Sequence, residues 1–235
     1  MTKNFAKRDA FDYGFWQTLW HMYIISCWFW TFYTIMYKMK VYGRKNIPKD
    51  RSILVAANHM SLLDPPLISA ALLKPIGYMA KRELFDIFFV GPMIWTLGAF
   101  AVNRDKLEVS TIKTAKVILA DKTWTMALFP QGGRRRNGKL NKINKGYITL
   151  AKLTKTDILP VGIIGADKTA RYPLQGDITV KVGTPISYEK EVDEIMKEWK
   201  AQICDLAGLI DNTDEVEQLE AEAKEALLQQ QEIKE

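Results

Sequence analysis

In the stretch Asn58-His59-Met60-Ser61-Leu62-Leu63-Asp64-Pro65-Pro66, two side chains have the types and spacing of a proton-transfer pair. Imidazole titrates near neutrality, and a carboxylate reached across a short turn can fix its tautomer and orientation. His59 and Asp64 therefore suit a general base backed by an acid. The same residues also suit a turn filler and a helix cap, and their spacing alone leaves both readings open. A second chemistry-bearing stretch is Phe129-Pro130-Gln131-Gly132-Gly133-Arg134-Arg135-Arg136. Two adjacent glycines let a backbone approach a ligand closely, and three arginines follow at once. A phosphate loop or a basic nucleic-acid loop would read alike. A Walker loop is excluded, because no Gly-Lys-Ser/Thr ending is present.

These residues need elements to position them. The apolar run over 53–57 has the length of a buried strand, and a helix is expected over 66–73, where Ser61 or Asp64 can cap and proline is tolerated in the first turn. A strand over 77–80 leads to Lys81. Another over 99–102 leads to Arg104, with Asp105 and Glu108 spaced as a capping box for a helix over 106–121. Arg104 would then stand beside a helix N-terminus, where an anion is favoured; an ordinary surface ion pair is the alternative. A strand over 125–129 precedes the glycine–arginine loop, and Lys145-Gly146 opens a further helix. Ile158–Ile164 reads as a buried strand, and 178–182 alternates like an edge strand.

Strands alternating with helices predict an α/β domain with a mostly parallel sheet flanked by helices. Ligands in such sheets collect at the carboxyl ends of the strands. His59, Lys81, Arg104 and Arg134 each fall shortly after an expected strand and are expected to converge there.

With 235 residues, of which 48% are hydrophobic, the chain can build one compact domain with extensions. Its formal charge of +6 is unevenly spread. Residues 188–235 carry a net charge of −10, and residues 1–187 carry +16. So basic a region expects an anionic partner: nucleic acid, an acidic lipid surface or a phosphorylated substrate. Two cysteines, Cys27 and Cys204, give neither a disulfide framework nor a zinc spacing, and a reducing compartment fits. Two histidines exclude a multi-histidine metal site.

From Tyr13 to Tyr37 no Asp, Glu, Lys or Arg occurs, and Trp and Tyr stand where Leu and Val would fill a bilayer centre. An in-plane or half-inserted helix, a true span and a core helix all suit this run; attachment to a membrane from one side is the expectation. Lys38, Lys40, Arg44 and Lys45 follow, as at the edge of an anionic surface. No small-residue cleavage site follows the apolar run, so a cleaved signal peptide is not expected. Residues 88–95 are apolar but broken by Gly91-Pro92, and read as core or as the wall of a lipid-shaped cavity. From about Glu189 the chain reads as amphipathic helix, then as a Glu/Gln/Ala-rich helical tail.

Asn58-His59 with Asp64 resembles the histidine–aspartate signature of the glycerolipid acyltransferases, specifically the 1-acylglycerol-3-phosphate acyltransferases. Lys81-Arg82-Glu83-Leu84 resembles that family's second block, and Arg104 in Val102-Asn103-Arg104 its arginine block. Phe129-Pro130-Gln131-Gly132-Gly133-Arg134 is similar to a Phe-Pro-Glu-Gly-Thr-Arg block, and Leu159-Pro160-Val161 to the last one. Gln131 departs from the usual Glu and Gly133 from the usual Thr, which bears on the acceptor's identity. The resemblance implies a glycerol-phosphate-acyltransferase-like α/β fold. It also implies transfer of a fatty acyl group from acyl-CoA or acyl carrier protein to the sn-2 hydroxyl of lysophosphatidate, giving phosphatidate, without cofactor or metal.

His59 and Asp64 would be catalytic; Lys81, Arg104, Gln131, Gly132, Gly133 and Arg134 would bind substrate or its phosphate. The expected organisation is a membrane-associating helical segment over 1–45, an acyltransferase domain over 46–210 and an acidic helical tail over 211–235. The expected location is the cytoplasmic face of a membrane, on an anionic lipid surface and without nucleic acid. Another lysolipid or amino-acid-lipid acceptor is the nearest alternative. A non-catalytic basic protein of membrane surfaces or nucleic acid is the remote one.

Overall fold

The computed structural model describes residues 10–102, 109–120, 122–169, 176–216, 218–219 and 222. Nine strands are found among them: β1 (Lys40–Tyr42), β2 (Leu54–Ala57), β3 (Ile76–Lys81), β4 (Phe100–Val102), β5 (Thr125–Leu128), β6 (Lys139–Leu140), β7 (Ile158–Ile164), β8 (Thr179–Val182) and β9 (Ile210–Asp211). Seven form one sheet in the order β1-β8-β7-β2-β5-β3-β4, and β6 pairs with β9. Neighbours in the large sheet are parallel except β7 and β8. Every residue of β2 is buried, as expected of a central parallel strand covered on both faces.

The helices are α1 (Phe15–Tyr23), α2 (Thr31–Tyr37), α3 (Asp64–Leu72), α4 (Val90–Thr96), α5 (Val109–Ala120), α6 (Gly146–Thr154), α7 (Ala166–Thr169) and α8 (Val192–Ala207). On one face of the sheet Leu67, Ile68 and Ala71 of α3 pack with Tyr33 and Tyr37 of α2 against Val55, Leu159 and Val161. On the other, Ile118 of α5, Ile148 of α6, and Ile195, Trp199 and Ile203 of α8 cover Leu54, Ala56 and Met126. The buried positions of α8 recur at helical spacing, the face its sequence presents.

Residues 15–37 run helically from α1 through a wider π-helical stretch, Ile24–Trp30, into α2, which ends at Lys38 in the left-handed conformation. One face is packed. His21, Ile25, Tyr33 and Tyr37 are buried, and Trp124 meets both Tyr13 and His21 edge to face. The opposite face exposes Phe15, Trp16, Trp20, Tyr23, Trp28 and Ile35. Among the described residues, no helix is long and apolar enough to cross a membrane.

Three expectations need correction. The strand over 178–182 is not an edge: β1 pairs outside β8 as β7 does inside it. Its alternation reports that Val180 and Val182 face the core while Thr179 and Lys181 do not, which is a statement about faces and not about edges. The boundary at residue 45 cuts through continuous packing, since β1 belongs to the sheet and α2 to the core. Finally, the apolar stretch over 88–95 is not core at its start: Phe88 and Phe89 are each 81% exposed and Met93 is exposed too, while Ile94 and Trp95 pack against the core. Of the helix expected over 106–121, α5 is the described part; the Asp105–Glu108 box lies outside the described residues.

Candidate active site

The central strand β2 delivers the chain to the carboxyl edge of the sheet at Ala57, and Asn58 fastens it there. The Asn58 side chain donates to the Ile163 carbonyl at 2.9 Å and accepts the Ile163 N–H at 2.7 Å. It thus continues the β2–β7 ladder by one side-chain rung beyond the last paired residues, Ala57 and Val161. The turn 58–63 then leads into α3, whose first residue is Asp64, followed by Pro65 and Pro66 where the missing N–H groups have no intrahelical role.

Asp64 reaches back over this turn. Its Oδ2 accepts from His59 Nδ1 at 2.7 Å, from the Met60 N–H at 2.6 Å and from the Ser61 N–H at 2.8 Å. The carboxyl is wholly buried, while the imidazole keeps 12% of its surface open. A carboxylate oxygen can only accept, so Nδ1 carries the proton in the neutral ring and the Nε2 lone pair is left for chemistry. Two tyrosines hold the start of α3. Tyr33 donates to the Leu63 carbonyl at 2.8 Å, and Tyr78 donates to the Pro65 carbonyl at 2.6 Å and meets Ser69 at 3.0 Å. Burial pushes both phenols well above the ordinary tyrosine range. The Asp64 carboxylate adds to that shift in each case, and for Tyr78 the Ser69 bonds oppose it, so both stay protonated.

The segment after β5 closes over the turn. Phe129 stacks on the His59 ring with centroids 4.0 Å apart and planes 17° apart. Gln131 Oε1 accepts the His59 N–H at 3.1 Å, the Arg135 N–H donates to the His59 carbonyl at 2.8 Å, and Arg136 Nε donates to the Met60 carbonyl at 3.1 Å. Gly132 takes a positive φ of 66° and its N–H is committed to the Phe129 carbonyl. Above both Gly132 and Gly133 the space is open, since an added Cβ would meet nothing within 4 Å. No part of the protein packs against either glycine, and the left-handed backbone accounts for the first.

The expected residues therefore do not all converge. His59, Asp64 and Gln131 are brought together, with Gly132 and Gly133 next along the loop. The Lys81 ammonium pairs instead with Glu83 at 2.8 Å, both exposed. Its strand β3 stands two places from β2 in the sheet, a lateral offset of roughly 10 Å. Arg134 is exposed on the loop surface, and Arg104 lies outside the described residues. Asn58, Phe129, Tyr33 and Tyr78 were not singled out as functional from the sequence. Asn58 and Phe129 lie inside the motif stretches and could have been; the tyrosines carry no local signal.

The Acyltransferase family model matches residues 38–164. A 1-acyl-sn-glycerol-3-phosphate acyltransferase of Borreliella burgdorferi is 32% identical over 127 residues, which is 53% of this chain and 50% of that protein. The enzyme of the same name in Bacillus subtilis is 28% identical over 149 residues, 63% of this chain and 73% of that one. The chain thus spans only half the length of the first of these. Among solved structures, the 1-acyl-sn-glycerophosphate (LPA) acyltransferase PlsC of Thermotoga maritima superposes with a TM-score of 0.64 at 27% identity. That likeness covers 86% of this chain and 81% of the other.

Proposed function

Since the chain belongs to the Acyltransferase family, we propose that it moves a fatty acyl group from acyl-CoA or acyl carrier protein to the sn-2 hydroxyl of lysophosphatidate. The observation that carries this reading is the 2.7 Å bond between His59 Nδ1 and the buried Asp64 carboxylate, which commits one ring nitrogen and frees the other. The names of the relatives, all acting on 1-acyl-sn-glycerol-3-phosphate, support the choice of acceptor.

His59 Nε2 takes the hydroxyl proton as the acceptor oxygen attacks the thioester carbonyl. The tetrahedral intermediate then collapses, the carbon–sulfur bond breaks, and the imidazolium returns its proton to the departing thiolate. Asp64 orients the ring and offsets its positive charge without taking the proton. Such a base supplies on the order of 10²–10⁴-fold; positioning and oxyanion stabilisation supply the remainder. The Gly132 N–H is spent within its own turn, so the Gly133 N–H is the better oxyanion donor of the two. Arg134 and Arg104 are the cations for the acceptor's phosphate, and Lys81 would join them only by leaving its pair with Glu83.

The exposed face of α1, the π-helical stretch and α2 lies on an anionic bilayer, at the cytoplasmic side, where the acceptor resides. Its aromatic composition supports an interfacial seat: Trp and Tyr are amphipathic and prefer the headgroup level. Exposed Phe88 and Phe89 add apolar reach. The test is release of free thiol from acyl-CoA and from acyl carrier protein, with lysophosphatidate as acceptor and product analysis. Wild type should form phosphatidate, and His59→Ala should fall at least about 100-fold in kcat. His59→Ala activity within about tenfold of wild type would remove the imidazole from the mechanism.

A further inference from the structure

We propose that Gln131 is a positioning residue for His59 and does not read the acceptor's phosphate; the proposal rests on His59 serving as the base. The ladder between β2 and β5 ends at Ala56 and Leu128. Beyond it the chain leaves regular pairing, yet the His59 N–H sits in a part-buried place where it needs an acceptor. Gln131 provides one from its side chain, which is only 7% exposed and turned toward this peptide.

The loop grips His59 at two further places and its neighbour Met60 at a third. Arg135 bonds its carbonyl, Phe129 covers its ring, and Arg136 bonds the carbonyl of the next residue. Asp64 fixes Nδ1 from the opposite side. Of the contacts from the loop, the Gln131 bond is the one made by a polar side chain to the peptide that carries the imidazole. It sets where the Cα of His59 lies relative to β5, and so where Nε2 points.

This also accounts for the amide at a position where the resemblance expects Glu. A backbone N–H asks only for an sp² oxygen, and amide and carboxylate both present one on a side chain of the same length. The exchange keeps the geometry of the base, so it carries no information about the acceptor.

The experiment compares Gln131→Met, which removes the oxygen at similar volume, with Gln131→Glu, which keeps it. In Gln131→Met, kcat should fall by about 10–100-fold, the scale of a small misplacement of a reacting group, with KM for lysophosphatidate unchanged within about twofold. Gln131→Glu should hold kcat within about threefold of wild type. A second readout needs no turnover. The chain has two histidines, so the downfield Nδ1 proton signal missing from His59→Ala belongs to the His59–Asp64 bond. That signal should persist in Gln131→Glu and broaden or vanish in Gln131→Met.

A Gln131→Met enzyme with kcat intact and KM raised would make Gln131 a headgroup reader and overturn the proposal. So would an unchanged kcat together with an unchanged proton signal. If the near-UV circular dichroism of Gln131→Met departs from wild type, Gln131→Ser, whose hydroxyl is too short to reach, takes its place. Should wild type fail to acylate lysophosphatidate, the proposed activity falls, and the proton signal still decides the positioning.

Discussion

Asp64 Oδ2 receives three donors, while Oδ1 is buried without a hydrogen-bond partner among the described residues. One oxygen thus holds both the ring and the turn that carries it, and the second adds charge where water does not reach. Asp64→Asn can keep an acceptor toward the backbone but removes the charge that offsets the imidazolium. Its kcat should fall by roughly 10²–10⁴-fold with KM for the acceptor little changed, as steady-state thiol release would record. Tyr33→Phe tests the other support of the turn. It removes one of the two donors to the Leu63 carbonyl, leaving the Leu67 N–H, and should cost about 1 kcal/mol in urea unfolding, with a smaller effect on kcat than Asp64→Asn. The His59–Asp64 pair was legible in the sequence because its partners lie within one turn of chain. The Gln131 and Tyr33 contacts were not, because they join segments 72 and 30 residues apart that only the sheet and its covering helices bring together.

At the scale of elements, the strands found from apolar runs fall where expected: β2, β3, β4, β5 and β7 each lie within a residue or two of the predicted span. Such strands are buried on both faces, so hydrophobicity alone marks them. β1 escaped because it has only three residues, two of them exposed, and owes its existence to pairing with β8. The exposed tip at Phe88 and Phe89 is not legible in the sequence, because apolar composition says nothing of which side of the surface a segment reaches. The joint between β2 and β7 depends on one side chain. Asn58 satisfies both polar groups of the Ile163 peptide unit's residue from within the core, being 1% exposed. Asn58→Ala leaves an N–H and a carbonyl bare, at about 1–3 kcal/mol for each. Denaturant unfolding should register that loss, and a change below about 0.5 kcal/mol would mean that water replaces the side chain.

Across the whole molecule, the basic first 187 residues and the exposed aromatic face of the N-terminal helices bear on one proposed partner, an anionic bilayer, through different forces. The charge acts at a distance and is screened over about 10 Å at 0.1 M salt. The aromatics act only on contact, and their contribution scales with apolar area buried. The two are separable on vesicles of phosphatidylglycerol and of phosphatidylcholine. Wild type should sediment with both, more strongly with the anionic lipid at low salt, and its tryptophan emission should move to shorter wavelength on binding. Trp16 and Trp20 are 77% and 48% exposed, so Trp16→Ser with Trp20→Ser removes little core contact. The double variant should lose at least about tenfold in partitioning, equivalent to roughly 1.4 kcal/mol, and should lose it at high salt as well as low. Binding that ignores these substitutions yet disappears with added salt would assign attachment to charge alone and leave the aromatic face for another purpose. With lysophosphatidate added to the same vesicles, partitioning and turnover can be read on one preparation. A variant that no longer binds should regain activity when the acceptor is supplied below its aggregation threshold, because the His59–Asp64 pair lies at the carboxyl edge of the sheet and not on the exposed aromatic face.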